Sequence, residues 1–225
     1  MRALGKTGLQ VTPIGLGLAA IGRPAYITLG REQDLGRRRS VDDLRRRSHE
    51  VLDAAYEIGI RYLDAARSYG LAEEFLGQWL RGRGIPPGEI AVGSKWGYTY
   101  TGGWRLDAEV QEVKDHSLGN LRRQIAASRE QLGDHLRLYQ IHSATLESGV
   151  LDDRAVLAEL AGLRETGLAV GFTTSGPRQP EIIRRAIEVE VDGVNPFGTV
   201  QATWNVLPLS ATLSPVLCSG FRRLR

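Results

Sequence analysis

Four side chains in this sequence have the types and positions to act together on a carbonyl group: Asp64, Tyr69, Lys95 and His142. A tyrosine hydroxyl titrates near ~10 and donates a proton poorly at neutral pH. A lysine cation beside it favours the phenolate and makes the hydroxyl more acidic. An aspartate would hold that lysine charged and in place, and a histidine could orient a carbonyl oxygen by hydrogen bonding. Such a set is a general acid for a carbonyl that is accepting hydride. Taken singly, each residue has an ordinary reading: a cap, a packed ring, an exposed charge, a structural imidazole. Their joint placement gives the set its weight.

That placement follows from the elements around them. Asp64 directly follows the strand-like Arg61-Tyr62-Leu63, and Tyr69 lies five residues on, in the loop Ala65-Ala66-Arg67-Ser68-Tyr69-Gly70. Lys95 ends Ala91-Val92-Gly93-Ser94-Lys95, and His142 ends Leu138-Tyr139-Gln140-Ile141-His142. Polar residues at the C-terminal ends of barrel strands are where active sites collect.

The rest of the chain repeats one unit. Ala3-Leu4 and Leu9 to Val11 flank the turn signal Gly5-Lys6-Thr7-Gly8, a small hairpin, and Ile14 to Leu18 reads as a first buried strand. Ser40 caps a helix with Asp43 three residues on, and Gly59 ends it. Strands are expected at Ile60 to Leu63, Ile90 to Val92, Leu136 to Ile141, Leu168 to Phe172 and Thr199 to Thr203. Helices are expected from about Ala72 to Arg81, Asp115 to Leu132, from a cap at Asp152 or Asp153 to Gly167, and Gln179 to Val189, with a long loop before Asp115. Alternating apolar strands and helices argue for a parallel sheet. No G-x-G-x-x-G follows the first strand, so the dinucleotide fingerprint of the open doubly wound sheet is missing. The expected fold is α/β, a (β/α)8 TIM barrel.

A full barrel has eight strands and runs ~250 residues, whereas about six strand-helix units can be read here. The expectation is an incomplete barrel over residues 1–207 with its last two units missing. Residues 208–225, with Pro208, Pro215 and Phe221-Arg222-Arg223-Leu224-Arg225, form an irregular tail, and a change of reading frame near Leu207 is its expected origin.

Composition narrows the function classes. The net charge is +3, and among 29 basic residues only Lys6, Lys95 and Lys114 are lysines. Arg37-Arg38-Arg39 and Arg45-Arg46-Arg47 are interleaved with Asp34, Asp42, Asp43 and Glu50 and lack aromatic neighbours, which reads as a solvated helix face rather than a nucleic-acid site. No apolar run reaches the ~18 residues of a membrane span, and no secretory signal opens the chain. Cys218 is the only cysteine, which fits a reducing cytoplasm. No metal is expected.

Several stretches resemble the aldo-keto reductase family. Tyr62-Leu63-Asp64-Ala65-Ala66-Arg67-Ser68-Tyr69-Gly70, with Glu73 and Gly77 beyond, is similar to the family signature around its aspartate and tyrosine. Gly93-Ser94-Lys95-Trp96 resembles its lysine strand, and Gln140-Ile141-His142-Ser143 its histidine strand. The opening, Leu4 to Val11 and then Ile14-Gly15-Leu16-Gly17, resembles its hairpin and first strand.

The resemblance implies NADPH-dependent reduction of an aldehyde or ketone, with a small carbonyl compound as the partner. It implies Tyr69 as proton donor, Lys95 as its activator, Asp64 as the partner of Lys95 and His142 as the carbonyl-orienting group. Thr173-Thr174 stand where the family has a Ser-Asn pair on the nicotinamide amide, and Gln201 stands at its sixth-strand glutamine. Trp96 would line the substrate pocket, and the stretch from Gly97 to Lys114 would help select the substrate. The family's aromatic of the seventh strand and its phosphate-gripping loops have no counterpart in this sequence. Two other readings stay open: an inactive remnant or non-catalytic binding protein, and a barrel lyase forming a Schiff base on Lys95.

Overall fold

The computed structural model describes residues 1–24 and 40–204. The tail expected from residue 208, Cys218 and the run Arg37-Arg38-Arg39 lie outside the described residues.

The helices start where short polar side chains can satisfy free N–H groups. Ser40 Oγ accepts from the Asp43 N–H at 3.1 Å and opens α1 (Val41–Glu57). Leu44, Leu52 and Ala55 turn inward, whereas Ile58, just past the helix end, is exposed. Gly59 at φ +89° turns the chain away. The arginines of α1 pair with its own acids: Arg45 with Asp42, Arg46 with Asp43, and Arg47 with Glu50. α2 (Ala72–Gly82) buries Phe75, Leu76, Trp79 and Leu80 without a side-chain cap. α3 (Leu118–Leu132) begins three residues later than Asp115, because Ser117 is the cap and Asp115 accepts the Ser117 N–H in a turn before it. Asp153 accepts from the Ala155 and Val156 N–H groups at the head of α4 (Arg154–Glu165), and α5 (Gln179–Ile187) follows the fifth parallel strand. Among the described residues no helix is long and apolar enough to cross a membrane.

The strands are β1 (Arg2–Ala3), β2 (Gln10–Val11), β3 (Leu16–Gly17), β4 (Tyr62–Asp64), β5 (Ala91–Trp96), β6 (Tyr98–Tyr100), β7 (Glu112–Lys114), β8 (Leu136–Ile141), β9 (Ala169–Thr174) and β10 (Thr199–Ala202). Six of them form one parallel sheet in the order β3-β4-β5-β8-β9-β10, which is chain order. A doubly wound sheet reverses its order at a switch point; this one never does. It is a curled, barrel-type sheet with its helices outside, an incomplete (β/α)8 arrangement among the described residues. β5 and β9 are buried at every position, as expected of strands covered on both faces.

Two contacts show the curl. Gln201 of β10 reaches Asp64 of β4 across the interior, with Nε2 3.4 Å from Oδ2. The β1-β2 hairpin turn reaches the approach to β10, where the Lys6 N–H donates to the Gly198 carbonyl at 2.7 Å. Gly5 sits at φ +54° in that turn, and a Cβ there would lie 2.3 Å from the Gly198 oxygen.

The structure corrects two expectations. The first parallel strand is only Leu16–Gly17, and Ile14 is 70% exposed. It is an edge strand, and its glycines offer little side chain to bury. The stretch before α3 is also more than a loop. Gly97 at φ +111° turns the chain, and β6 and β7 pair antiparallel.

Candidate functional site

β4 and β5 run side by side with Asp64 opposite Gly93, so Asp64 and Lys95 emerge at the same end of the sheet. There Lys95 Nζ donates to Asp64 Oδ2 at 2.5 Å and to the Ala65 carbonyl at 2.9 Å. Lys95 is 2% exposed and Asp64 7%, so this ion pair is almost dry. The other carboxylate oxygen, Oδ1, lies 3.5 Å from the Tyr62 hydroxyl, whose pKa is raised by burial and then by Asp64.

The loop after β4 keeps to the end of β5. The Ala65 N–H donates to Gly93 and the Arg67 N–H to Lys95, at 2.9 and 3.0 Å. This register brings the Tyr69 ring beside the lysine, with Nζ 5.0 Å from its centroid. His142, one residue past β8, meets the same ring edge-on, centroids 5.5 Å apart at 87°. Its Nδ1 lies 3.4 Å from Ser68 Oγ. Burial, then the nearby Lys95 cation, pushes the His142 pKa down to about 3, so the imidazole is neutral.

Tyr69, Lys95, His142, Thr173, Thr174 and Gln201 all line one cavity of about 270 Å³ at this end of the sheet. Larger depressions lie between the outer helices, such as that beside Leu151 and Arg185. They hold none of these residues. Thr173 already has work: its hydroxyl oxygen accepts the Ser143 N–H at 2.8 Å. Thr174 Oγ1 is buried and has no hydrogen-bond partner among the described residues. A buried hydroxyl left unpaired on a cavity wall suits a polar ligand group, and an amide such as that of nicotinamide fits the donor set of Thr174 and Gln201.

Trp96 departs from expectation. It is fully buried, packs edge-on to His116 at 5.5 Å, and is not part of the cavity lining. Strand alternation explains this: if Lys95 points into the barrel, its neighbour points toward the helix layer.

One buried residue was named in the sequence only as part of a motif. Glu73 of α2 is 2% exposed. Its carboxylate accepts from Ser94 Oγ of β5 at 2.5 Å and from Ser128 Oγ of α3 at 2.7 Å, and pairs with Arg67. It ties the Tyr69 loop to the Lys95 strand from behind. His116, Lys114 and Ser143 also surround His142, and no sequence periodicity marks them. Among the described residues no cluster of three or more His, Cys, Asp or Glu could hold a metal ion.

Residues 13–216 match the model of the Aldo/keto reductase family. The chain belongs to that family. This aldo/keto reductase is 29% identical over 217 residues to pyridoxal 4-dehydrogenase of Microbacterium luteolum, a match covering 83% of the chain and 58% of the relative. It is 26% identical over 195 residues to the uncharacterized oxidoreductase YqkF of Bacillus subtilis (strain 168), covering 83% and 52%. The chain thus spans a little over half the length of these two relatives. Among solved structures it resembles PA4992 of Pseudomonas aeruginosa, an aldo-keto reductase by assignment. That likeness has a TM-score of 0.69 and 26% identity, over 100% of this chain and 75% of that one.

Proposed function

We propose that this aldo/keto reductase reduces an aldehyde or ketone to the alcohol, with NADPH as the hydride source. The observation that carries the reading is the Lys95–Asp64 ion pair beneath the Tyr69 ring, with a neutral His142 edge-on to that ring.

When bound, the cofactor supplies hydride to the carbonyl carbon. The carbonyl oxygen must then gain a proton, and Tyr69 Oη is the donor. Negative charge left on the phenolic oxygen is stabilised by the Lys95 ammonium, in a site with little water to weaken the field. Asp64 pairs with the ammonium and fixes its position. Where the Ser68 hydroxyl, 3.4 Å from Nδ1, donates to the neutral His142, the ring proton sits on Nε2 and can donate to the carbonyl oxygen. Thr174 and Gln201 would hold the nicotinamide amide, with Thr173 shaping the wall beside them. Trp96 has no role in this scheme.

The ion pair also argues against a Schiff base on Lys95, because that chemistry needs the free amine. A borohydride-trapped adduct on Lys95 would reverse the preference.

The test is NADPH binding to the 225-residue chain, followed by cofactor fluorescence, with turnover of a panel of aldehydes and ketones. Tyr69→Phe is expected to lose roughly 100-fold or more in turnover while binding NADPH as the unaltered chain does. Failure to bind at about 100 μM, weaker than roughly −5.4 kcal/mol, would overturn the reading and favour a non-catalytic chain.

A further inference from the structure

Ser143 directly follows His142 and holds φ at +51°, in the left-handed region that a residue with a Cβ enters at a cost. Such backbone persists only where its surroundings over-determine it. The His142 N–H donates to the Trp96 carbonyl at 2.8 Å. The His142 carbonyl accepts from His116 Nε2 at 2.9 Å. The Ser143 N–H donates to Thr173 Oγ1 at 2.8 Å, and the Ser143 carbonyl accepts from Lys114 Nζ at 3.0 Å. All four backbone polar groups of this dipeptide are therefore held, from β5, from β9 and from the end of the β6-β7 hairpin.

The hairpin is built to supply two of those holds. Gly97 permits His116 to come close: a Cβ at Gly97 would lie 2.2 Å from His116 Cδ2. The His116 ring sits edge-on to Trp96 and Tyr98, and Tyr98 in turn packs edge-on to His142 at 5.1 Å. Because a carbonyl only accepts, His116 Nε2 must carry the ring proton. Lys114 Nζ also lies 5.6 Å from the Tyr98 ring centre, so the hairpin, the lysine and the turn form one packed unit.

We propose that Lys114 and His116 are positioning residues: they clamp the left-handed turn at Ser143 and so aim the His142 imidazole at Tyr69. This rests on the reading of His142 as the carbonyl-orienting group. It assigns the 97–116 segment a part in the chemistry, beyond choosing substrates. Without the clamp the turn relaxes toward ordinary backbone, and the ring leaves its edge-on place.

The test is a double-mutant cycle on the full chain. Lys114→Met removes the donor at an exposed position, so the core stays intact. Ser143→Gly removes the cost of the left-handed backbone, since glycine adopts it freely. The first readout is ¹⁵N-histidine NMR without any ligand, with His142 assigned by its loss in His142→Gln. Lys114→Met is expected to shift the His142 ring signals, Lys114→Arg to return them, and the Lys114→Met shift to shrink in the Ser143→Gly background. The second readout is turnover. A fall of about tenfold in kcat is expected for Lys114→Met, less than the ~100-fold of a 1 Å misplacement, with NADPH affinity unchanged. His142 signals that stay put in Lys114→Met overturn the clamp, as does an equal effect of Lys114→Met in the glycine background. A rise confined to KM for anionic carbonyl compounds, with the signals unmoved, also overturns it and assigns Lys114 to the substrate. Shifted signals in a chain that turns over no carbonyl sink the reductase reading and leave the clamp standing.

Discussion

The Lys95 ammonium lies 2.5 Å from Oδ2 of Asp64, and both side chains are nearly shut off from water. A buried charge is held there only because its partner and hydrogen bonds replace lost hydration. Asp64→Asn should therefore destabilise the fold by about 3–5 kcal/mol, because the buried Lys95 would lose its counterion. Adding Lys95→Met should recover part of that loss. Urea unfolding measures both, and a single variant with the unaltered midpoint would show that the pair is not held as described.

Acid should weaken the fold through two histidines. Burial holds His116 down to about 4 and His142 down to about 3, against an ordinary ~6.5 in the unfolded chain. Below pH ~6.5 the unfolded chain takes up protons that the folded chain refuses. Their contribution is thus complete above ~6.5 and is lost as pH falls toward those folded values. Each histidine contributes up to about 1.4 kcal/mol per pH unit across its window. Urea midpoints should drop from pH 7.5 to pH 5, and less steeply in His116→Asn. Equal slopes for the two proteins would contradict the assignment.

Glu73 should matter to stability beyond its surface neighbours. Glu73→Gln turns an amide toward Arg67 and breaks a buried ion pair, a loss of about 3 kcal/mol. Ser128→Ala removes one hydrogen bond to the same carboxylate and should cost nearer ~1 kcal/mol. Thermal unfolding of the two variants gives the order; a larger loss for the serine would place the weight of the network elsewhere.

Thr174 offers the opposite sign. Its Oγ1 is buried without a partner among the described residues, so Thr174→Val, close to it in shape, should leave stability unchanged or raise it by up to about 1 kcal/mol. Cofactor affinity should weaken several-fold if that hydroxyl meets the nicotinamide amide. Calorimetry reads the first and fluorescence titration the second. Weakened stability with unchanged NADPH affinity would remove Thr174 from the cofactor site.

Much of the architecture was legible in local chemistry. Leu136 to Ile141 is a strand at the residues where the apolar run lies. Ser40 and Asp153 cap the helices they precede, and Gly59 and Gly167 stand at φ +89° just past helix ends. Where boundaries moved, a local rule had a competitor. Asp115 could cap a helix, but Ser117 does, because the Asp115 side chain is spent on the turn before it. Ile14 is apolar enough for a core strand, yet the sheet edge leaves it exposed.

By itself the sequence determined the alternation of strands and helices, the helix ends at Ser40 and Gly59, and which polar residues stand at strand ends, because these depend on neighbours within a few positions. Tertiary structure alone decided that Gln201 reaches Asp64, that Trp96 turns away from the cavity, and that Lys114 and His116 grip the turn at Ser143. Those relationships join residues 26 to 137 positions apart. They come into being only when the sheet curls and brings its strand ends around one mouth, a closure to which no local periodicity responds.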